Sequence, residues 1–97
     1  MNIEKIKTYV GFAIKSNAVC YGIDNLKKNV KFVLFSETIS ENTIAKIKKF
    51  CEELNILCIQ LNLEQSKILP SGVKVLGIKN INLAKAIMGE LKMEEDN

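Results

Sequence analysis

The chain has 97 residues, a length that can bury one hydrophobic core but not two. Hydrophobic residues make up 47% and charged residues 26%, and no apolar run approaches the roughly 18 residues of a membrane span. The N-terminus lacks the apolar core of a signal peptide, so we expect a cytoplasmic protein without membrane contact. We expect one domain over residues 1–92 and an acidic flexible tail over residues 93–97.

The positive charge is concentrated in the body of the chain. The net charge is +3, but three of the acidic residues lie within the last four positions. Residues 1–93 carry 14 lysines against 8 acidic residues, a net charge of +6. Such a balance suits a polyanionic partner, although charge alone is a weak argument for nucleic acid.

The residues needed for common catalytic and metal sites are missing or scattered. The absence of histidine excludes a zinc site with histidine ligands, a Ser-His-Asp triad and a Cys-His dyad. The three cysteines, Cys20, Cys51 and Cys58, have apolar neighbours and are expected to be buried thiols in a reducing compartment. The acidic residues are spread along the chain and form no evident acid–base pair. We therefore expect no enzyme activity, no cofactor and no metal.

Hydrophobic spacing predicts the first half of the fold. Ile3, Ile6, Val10 and Ala13 follow helical spacing, and this first helix should end near residues 16–17. Apolar runs at residues 18–21 and 30–35 predict two strands. Between them, residues 22–29 have room for a second helix of only about two turns, opened by a glycine.

The second half continues the alternation of helix and strand. Ser40 is a plausible N-cap for the helix with the clearest apolar stripe, and Asn80 could cap a last helix. Residues 56–61 and 73–78 have little polar interruption, as expected for strands covered on both faces. Residues 62–72 should hold a single helical turn followed by an exposed loop with the only proline. The pattern predicts a three-layer α/β/α sandwich around a four-stranded sheet, which the short first connection should make mixed.

The segment that begins at Gly22 is the strongest candidate for a binding site. A glycine between a strand and a helix lets a nucleic acid backbone approach closely, and free amides at a helix start favour phosphate. On the predicted helix, Asn25 and Lys28 would share one face, where an amide can contact a base edge and a lysine a phosphate. The alternative is that Gly22 only permits a tight turn, while the polar residues cap and solvate a short helix.

Several segments resemble the ribosomal L-seven-Ae (L-thirty-e-like) family, and they lie at residues 10–15, 22–28, 31–43, 73–78 and 82–87. The resemblance covers most of the chain and implies an α/β/α sandwich that binds kink-turns in ribosomal, small nucleolar or riboswitch RNA. In the family pattern Gly22 matches the glycine, Asp24 and Asn25 the two polar readers of sheared purine pairs, and Lys28 the lysine. The family usually has asparagine at position 24 and an acid or glutamine at position 25.

The leading hypothesis is a ribosome-associated or kink-turn RNA-binding protein of a divergent bacterial type. Its RNA surface would comprise Gly22, Asp24, Asn25 and Lys28. Further phosphate contacts would come from Lys15, Lys27 and Lys31, and the loop residues Leu69 and Ser71 would complete the site. One rival is a protein-interaction module of the same fold that has lost RNA recognition. Another is a recognition domain that works beside an RNA methyltransferase.

Overall fold

A computed structural model describes the backbone of residues 1–95 and the side chains through Leu91. The helices and strands are, in chain order, α1 (Ile3–Lys15), β1 (Val19–Tyr21), β2 (Phe32–Ser36), α2 (Glu41–Leu54), β3 (Leu57–Leu61), β4 (Val75–Ile78) and α3 (Ile81–Glu95). Two short 3-10 turns, Ile23–Asn25 and Gln65–Ile68, lie in the connections. The backbone of residues 93–95 continues α3, and Asp96 and Asn97 of the expected tail lie outside the described residues.

The four strands form one mixed sheet in the order β1-β4-β2-β3. Strands β2 and β3 are parallel, whereas β4 runs antiparallel to both of its neighbours. The mixed sheet inferred from the short first connection is therefore confirmed. Within the described chain, no helix is long and apolar enough to cross a bilayer.

Helices cover both faces of the sheet, which confirms the α/β/α sandwich. Phe32 and Leu34 of β2 point into core 1, the cluster shared with α1, α3 and the second 3-10 turn. Val33 and Phe35 point to the opposite face and into core 2, the cluster shared with α2 and the β1–β2 connection. This alternation follows from the two-residue period of a strand.

Short polar side chains fix the helix starts. Asn2, Ser40 and Asn80 accept hydrogen bonds from backbone amides three residues further on, at 3.0, 3.2 and 3.0 Å. These bonds satisfy amides that have no partner inside the helix. The predicted caps at Ser40 and Asn80 are confirmed, and α1 ends at Lys15, within a residue or two of the predicted position.

Strand β3 departs from the sequence prediction. It lies at the edge of the sheet, and Leu57 is 44% exposed while Gln60 is also exposed. The expectation that residues 56–61 are covered on both faces is therefore wrong. A run of apolar residues does not distinguish an edge strand from a central one, and β4, in the centre, is buried throughout as expected.

The connection from β1 to β2 crosses directly over β4 at Gly77. We call residues 22–31 the crossover, because β4 lies between the two strands that they join. A methyl group on Gly77 would lie 2.7 Å from Cys20 Sγ, 3.0 Å from Leu26 Cδ2 and 3.2 Å from Val30 Cγ2. The absence of a side chain at Gly77 thus allows the crossover to lie against the sheet.

We predict that Gly77→Ala lowers the free energy of unfolding by about 1–3 kcal/mol, because the added methyl group overpacks core 2. Gly89→Ala is the matched control, since Gly89 lies in α3 and, apart from its neighbours and the helix's own backbone, no described atom lies within 4 Å of the added carbon. The control should stabilise the protein by about 0.5–1 kcal/mol through helix propensity. Urea unfolding measures both changes, and Cys20→Ala should partly rescue Gly77→Ala. Equal unfolding midpoints for Gly77→Ala and wild type would contradict the packing argument.

Candidate RNA interface

The crossover begins at a glycine whose backbone faces open space. Gly22 has φ +82° and ψ 156°, and no described atom outside Gly22 and its two chain neighbours lies within 4 Å of the position that a Cβ would occupy. Its N–H donates to the carbonyl oxygen of Val75 over 3.0 Å, which attaches the start of the crossover to the start of β4. A residue with a side chain would be strained at this φ, so glycine both permits the turn and leaves its backbone accessible.

The helix predicted after Gly22 is reduced to a single 3-10 turn. The turn ends at Asn25, because Leu26 adopts an extended conformation with φ −70° and ψ 122°. Lys28 lies in a second turn, which the hydrogen bond from the Val30 N–H to the Lys27 carbonyl closes at 3.0 Å. The expectation that Asn25 and Lys28 share a helical face is therefore wrong. The chain instead extends at Leu26, and the side chains of Leu26 and Val30 both lie against the sheet at Gly77.

The exposed Asn25 side chain is bonded to the end of β1. Its Nδ2 group donates to the Tyr21 carbonyl oxygen over 2.7 Å. No described residue donates to Asn25 Oδ1, so the exposed side chain offers an acceptor to a ligand. Asp24 is exposed beside it and offers a second acceptor, with a negative charge. The two side chains together suit donors such as the amino groups of bases.

The predicted site residues divide between the two ends of the central strand β4. Gly22 pairs with Val75 at the start of β4, whereas the Lys31 N–H donates to the Ile78 carbonyl at its end. These positions are separated by three residues, about 10 Å at roughly 3.4 Å per residue. We call the end of β4 at Gly22 the first edge and the end of β4 at Lys31 the second edge; these names refer to strand ends and not to the edge strands β1 and β3. The crossover connects them, so a ligand that contacts both must follow it.

The second edge gathers lysines from three segments. Lys15 ends α1, and Lys79 follows β4, with its N–H donating to the Ala18 carbonyl at 2.7 Å. Burial raises the pKa of the Cys20 thiol, and the positive charges of Lys79 and Lys27 oppose this shift. These two lysines therefore flank the same thiol from β4 and from the crossover. Lys79 was not predicted as a site residue, because only the antiparallel pairing of β1 with β4 brings it here.

The lysines of the second edge carry uncompensated charge. The ion pairs among the described side chains join Lys5 to Glu90 at 3.1 Å and Lys67 to Glu64 at 3.3 Å. No described carboxylate pairs with the lysines of this group, which are Lys15, Lys27, Lys28, Lys31 and Lys79. Clustered lysines without acidic partners produce a positive potential that attracts a polyanion.

The loop before β4 contributes less surface than expected. Leu69, predicted to complete the RNA site, is only 7% exposed and packs into core 1. Its assignment as a contact residue is corrected to a core residue, because the 3-10 turn before it packs beneath α1 and draws the leucine inward. Ser71 is exposed at the tip of a turn closed by the Val73 N–H and the Pro70 carbonyl at 3.0 Å. Since this loop leads into Val75, Ser71 lies toward the first edge.

A separate apolar groove lies on the α1 side of the molecule. Its volume is about 200 Å³, and its lining comes from α1 and the loop before β4: Lys7, Val10, Gly11, Ile14, Ile68, Leu69 and Pro70. Four of these residues belong to core 1 or pack against it, and none belongs to the crossover. The groove is therefore distinct from the lysine-rich surface.

Of the three cysteines expected to be buried, Cys51 is buried in core 2, whereas Cys20 and Cys58 are half-buried against it. Cys51 of α2 is 2% exposed, and burial raises the pKa of its thiol to about 12, with a further contribution from the neighbouring Cys58. A thiol with so high a pKa is almost entirely protonated near neutral pH and is a poor nucleophile. Among the described residues, no group of three His, Cys, Asp or Glu side chains could hold a metal ion.

A solved structure shares this fold. It is that of a protein of unknown function from Bacillus halodurans, which aligns with a TM-score of 0.75 and 17% sequence identity over 88% of this chain and 94% of that chain. At this identity the likeness shows the fold alone. No protein-family model and no curated protein matches the chain.

The raised pKa of Cys51 predicts a pH dependence of stability. An unfolded thiol with the ordinary pKa of 9.0 ionises as pH rises, whereas the folded Cys51 stays protonated up to about 12. The stabilisation is therefore complete below pH 9 and is lost above it, by at most about 1.4 kcal/mol per pH unit. Urea unfolding at about pH 8 and about pH 10.5 should show a smaller pH dependence for Cys51→Ala than for wild type. Parallel pH dependences would contradict this origin of the shift.

Proposed function

We propose that this chain is a non-catalytic, cytoplasmic RNA-binding protein, ribosome-associated or kink-turn binding, that contacts RNA through the crossover. The observation that carries the proposal is the composition of this one exposed segment. It combines an open glycine, two exposed acceptor side chains and lysines without acidic partners. These are the groups that approach, read and neutralise a nucleic acid.

Each part of the crossover has a distinct role in this proposal. The open backbone at Gly22 allows an RNA strand to approach without a side chain in between. The fixed Asn25 amide presents its oxygen to a base amino group. The lysines at residues 27, 28 and 31, joined by Lys15 and Lys79, neutralise phosphates as the strand passes to the second edge.

The resemblance to the ribosomal L-seven-Ae family narrows the proposed ligand to kink-turn RNA. The matching residues Gly22, Asp24 and Asn25 follow one another on a single exposed turn, as a contact with one short RNA motif requires. Lys28 follows in the next turn and remains exposed. The crossover is compact enough for these residues to contact one bend of an RNA chain.

We predict that the protein binds a standard kink-turn RNA in a gel-shift assay, with an affinity that falls as salt rises. Lys28→Ala should weaken binding and reduce the logarithmic salt slope by about 0.9 if one duplex phosphate contact is lost. Lys49→Ala is the charge-matched control. Lys49 lies two residues from both Ile47 and Cys51, the buried residues of α2, so it points away from the sheet and should leave binding unchanged.

Two outcomes would refute this proposal. One is an absence of salt-sensitive binding by the wild-type protein, and the other is identical behaviour of Lys28→Ala and Lys49→Ala. If RNA does not bind, copurification of a defined protein partner from ribonuclease-treated extract would favour the protein-interaction alternative. The groove beneath α1 would then be the first surface to mutate.

Asp24 provides a second test, because its carboxylate lies on the surface that we propose for RNA. Asp24→Asn keeps the size of the side chain and one acceptor oxygen, but it removes the negative charge that repels phosphate. For two unit charges about 4 Å apart in water, this repulsion is about 1 kcal/mol. We expect about fivefold tighter kink-turn binding at low salt, with a smaller gain at high salt because salt screens the repulsion. A loss of affinity would instead show that the Asp24 carboxylate accepts a hydrogen bond from the RNA.

A further inference from the structure

A group of hydroxyls and one lysine joins the β2–α2 connection to the β3–β4 connection at the first edge. Ser36, at the end of β2, is buried and 4% exposed. Its Oγ accepts from the Thr38 N–H at 3.2 Å and lies 2.9 Å from Thr38 Oγ1 and 3.3 Å from Ser66 Oγ. Lys74 Nζ, just before β4, donates to Thr38 Oγ1 at 3.0 Å. We call these four residues the hydroxyl–lysine cluster.

Lys74 is oriented by a hydroxyl and not by a carboxylate. Its hydrogen-bond partner is a neutral hydroxyl, and no described carboxylate forms an ion pair with it, although Glu37 is adjacent to Thr38 in the chain. An ammonium group has three donors, so two remain after the bond to Thr38. Holding a flexible lysine in place reduces the entropy that a ligand must otherwise remove. The exposed Lys74 is therefore prepared to bind an anion.

The cluster lies beside the open backbone of Gly22. The Gly22 N–H donates to the carbonyl of Val75, and the Ser36 N–H donates to the carbonyl of the preceding Lys74, at 3.0 and 2.9 Å. Gly22 and Lys74 thus flank the same point of β4, with Gly22 on the β1 side and the cluster on the β2 side. The lysines of the proposed RNA surface lie along the crossover toward the second edge, so the first edge would otherwise lack a phosphate contact.

We propose that Lys74, positioned by Thr38, binds a phosphate of the RNA backbone at the first edge beside Gly22. The proposal rests on the proposed function, since the phosphate belongs to the RNA that follows the crossover. A charge-assisted hydrogen bond from Nζ anchors the strand at one edge, and the lysines of the second edge contact it about 10 Å away. Thr38 acts through Lys74 as a positioning residue.

The test combines affinity, salt slope and an RNA-free probe on four variants. With kink-turn RNA, Lys74→Ala should weaken binding about tenfold and reduce the logarithmic salt slope by about 0.9. Thr38→Val should weaken binding less and leave the slope unchanged, because the lysine charge remains. Thr38→Ser retains the hydroxyl that Thr38→Val removes, so it should behave as wild type. Lys49→Ala should also behave as wild type. Urea unfolding of each variant establishes that the fold is retained.

The RNA-free probe is inorganic pyrophosphate, followed through backbone amide NMR signals. Addition of pyrophosphate should shift the signals of Gly22, Thr38 and Lys74 in the wild type. In Lys74→Ala the shifts of Gly22 and Thr38 should be lost. If RNA binds but Lys74→Ala keeps the wild-type affinity and slope, the assignment of Lys74 is overturned and the proposed function stands. If RNA does not bind, the proposed function fails, and an absence of Lys74-dependent shifts overturns the anion site as well.

Discussion

The close approach of the crossover to β4 at Gly77 is the contact on which the rest of this structure depends. Strands β1 and β2 lie on either side of β4, so the ten residues between them must pass over that strand. Cys20, Leu26 and Val30 fill the space above Gly77, where a side chain would otherwise stand. Leu26 and Val30 are four residues apart, yet an extended stretch and a turn join them, because this path covers the sheet with few residues. A connection this short can pass over β4 because Gly77 has no side chain.

The same contact determines how the candidate binding groups are distributed. Once Leu26 and Val30 are directed into core 2, the residues between and before them are directed outward. Asp24, Asn25, Lys27 and Lys28 are all exposed for this reason, without a regular helix to present them. The ends of β4 then divide the surface, with Gly22 and the hydroxyl–lysine cluster at one edge and the unpaired lysines at the other.

The fold could be predicted from the sequence because its signals are local. The caps at Ser40 and Asn80, the helical spacing of α1 and the buried pattern of β4 depend on residues close together in the chain. The edge position of β3 and the single 3-10 turn after Gly22 depend on which strands are neighbours, which local patterns do not encode. For the same reason Lys79 and Lys74 were missed, since antiparallel pairing and a bond between residues 36 positions apart bring them to their sites.

The candidate surface combines fixed and mobile groups, and these contribute differently to recognition. Lysines without a described partner, such as Lys28 and Lys31, neutralise phosphate but lose side-chain entropy on binding, so they favour any polyanion with little discrimination. Asn25 is bonded to the Tyr21 carbonyl through one N–H of its Nδ2 group, so it loses less further entropy, and its oxygen favours a ligand donor at one position. In the proposed complex with RNA, selectivity for one RNA shape would come from the first edge, which holds Gly22 and Asn25. The second edge would supply long-range attraction and part of the affinity, and the crossover would set the spacing between the two edges.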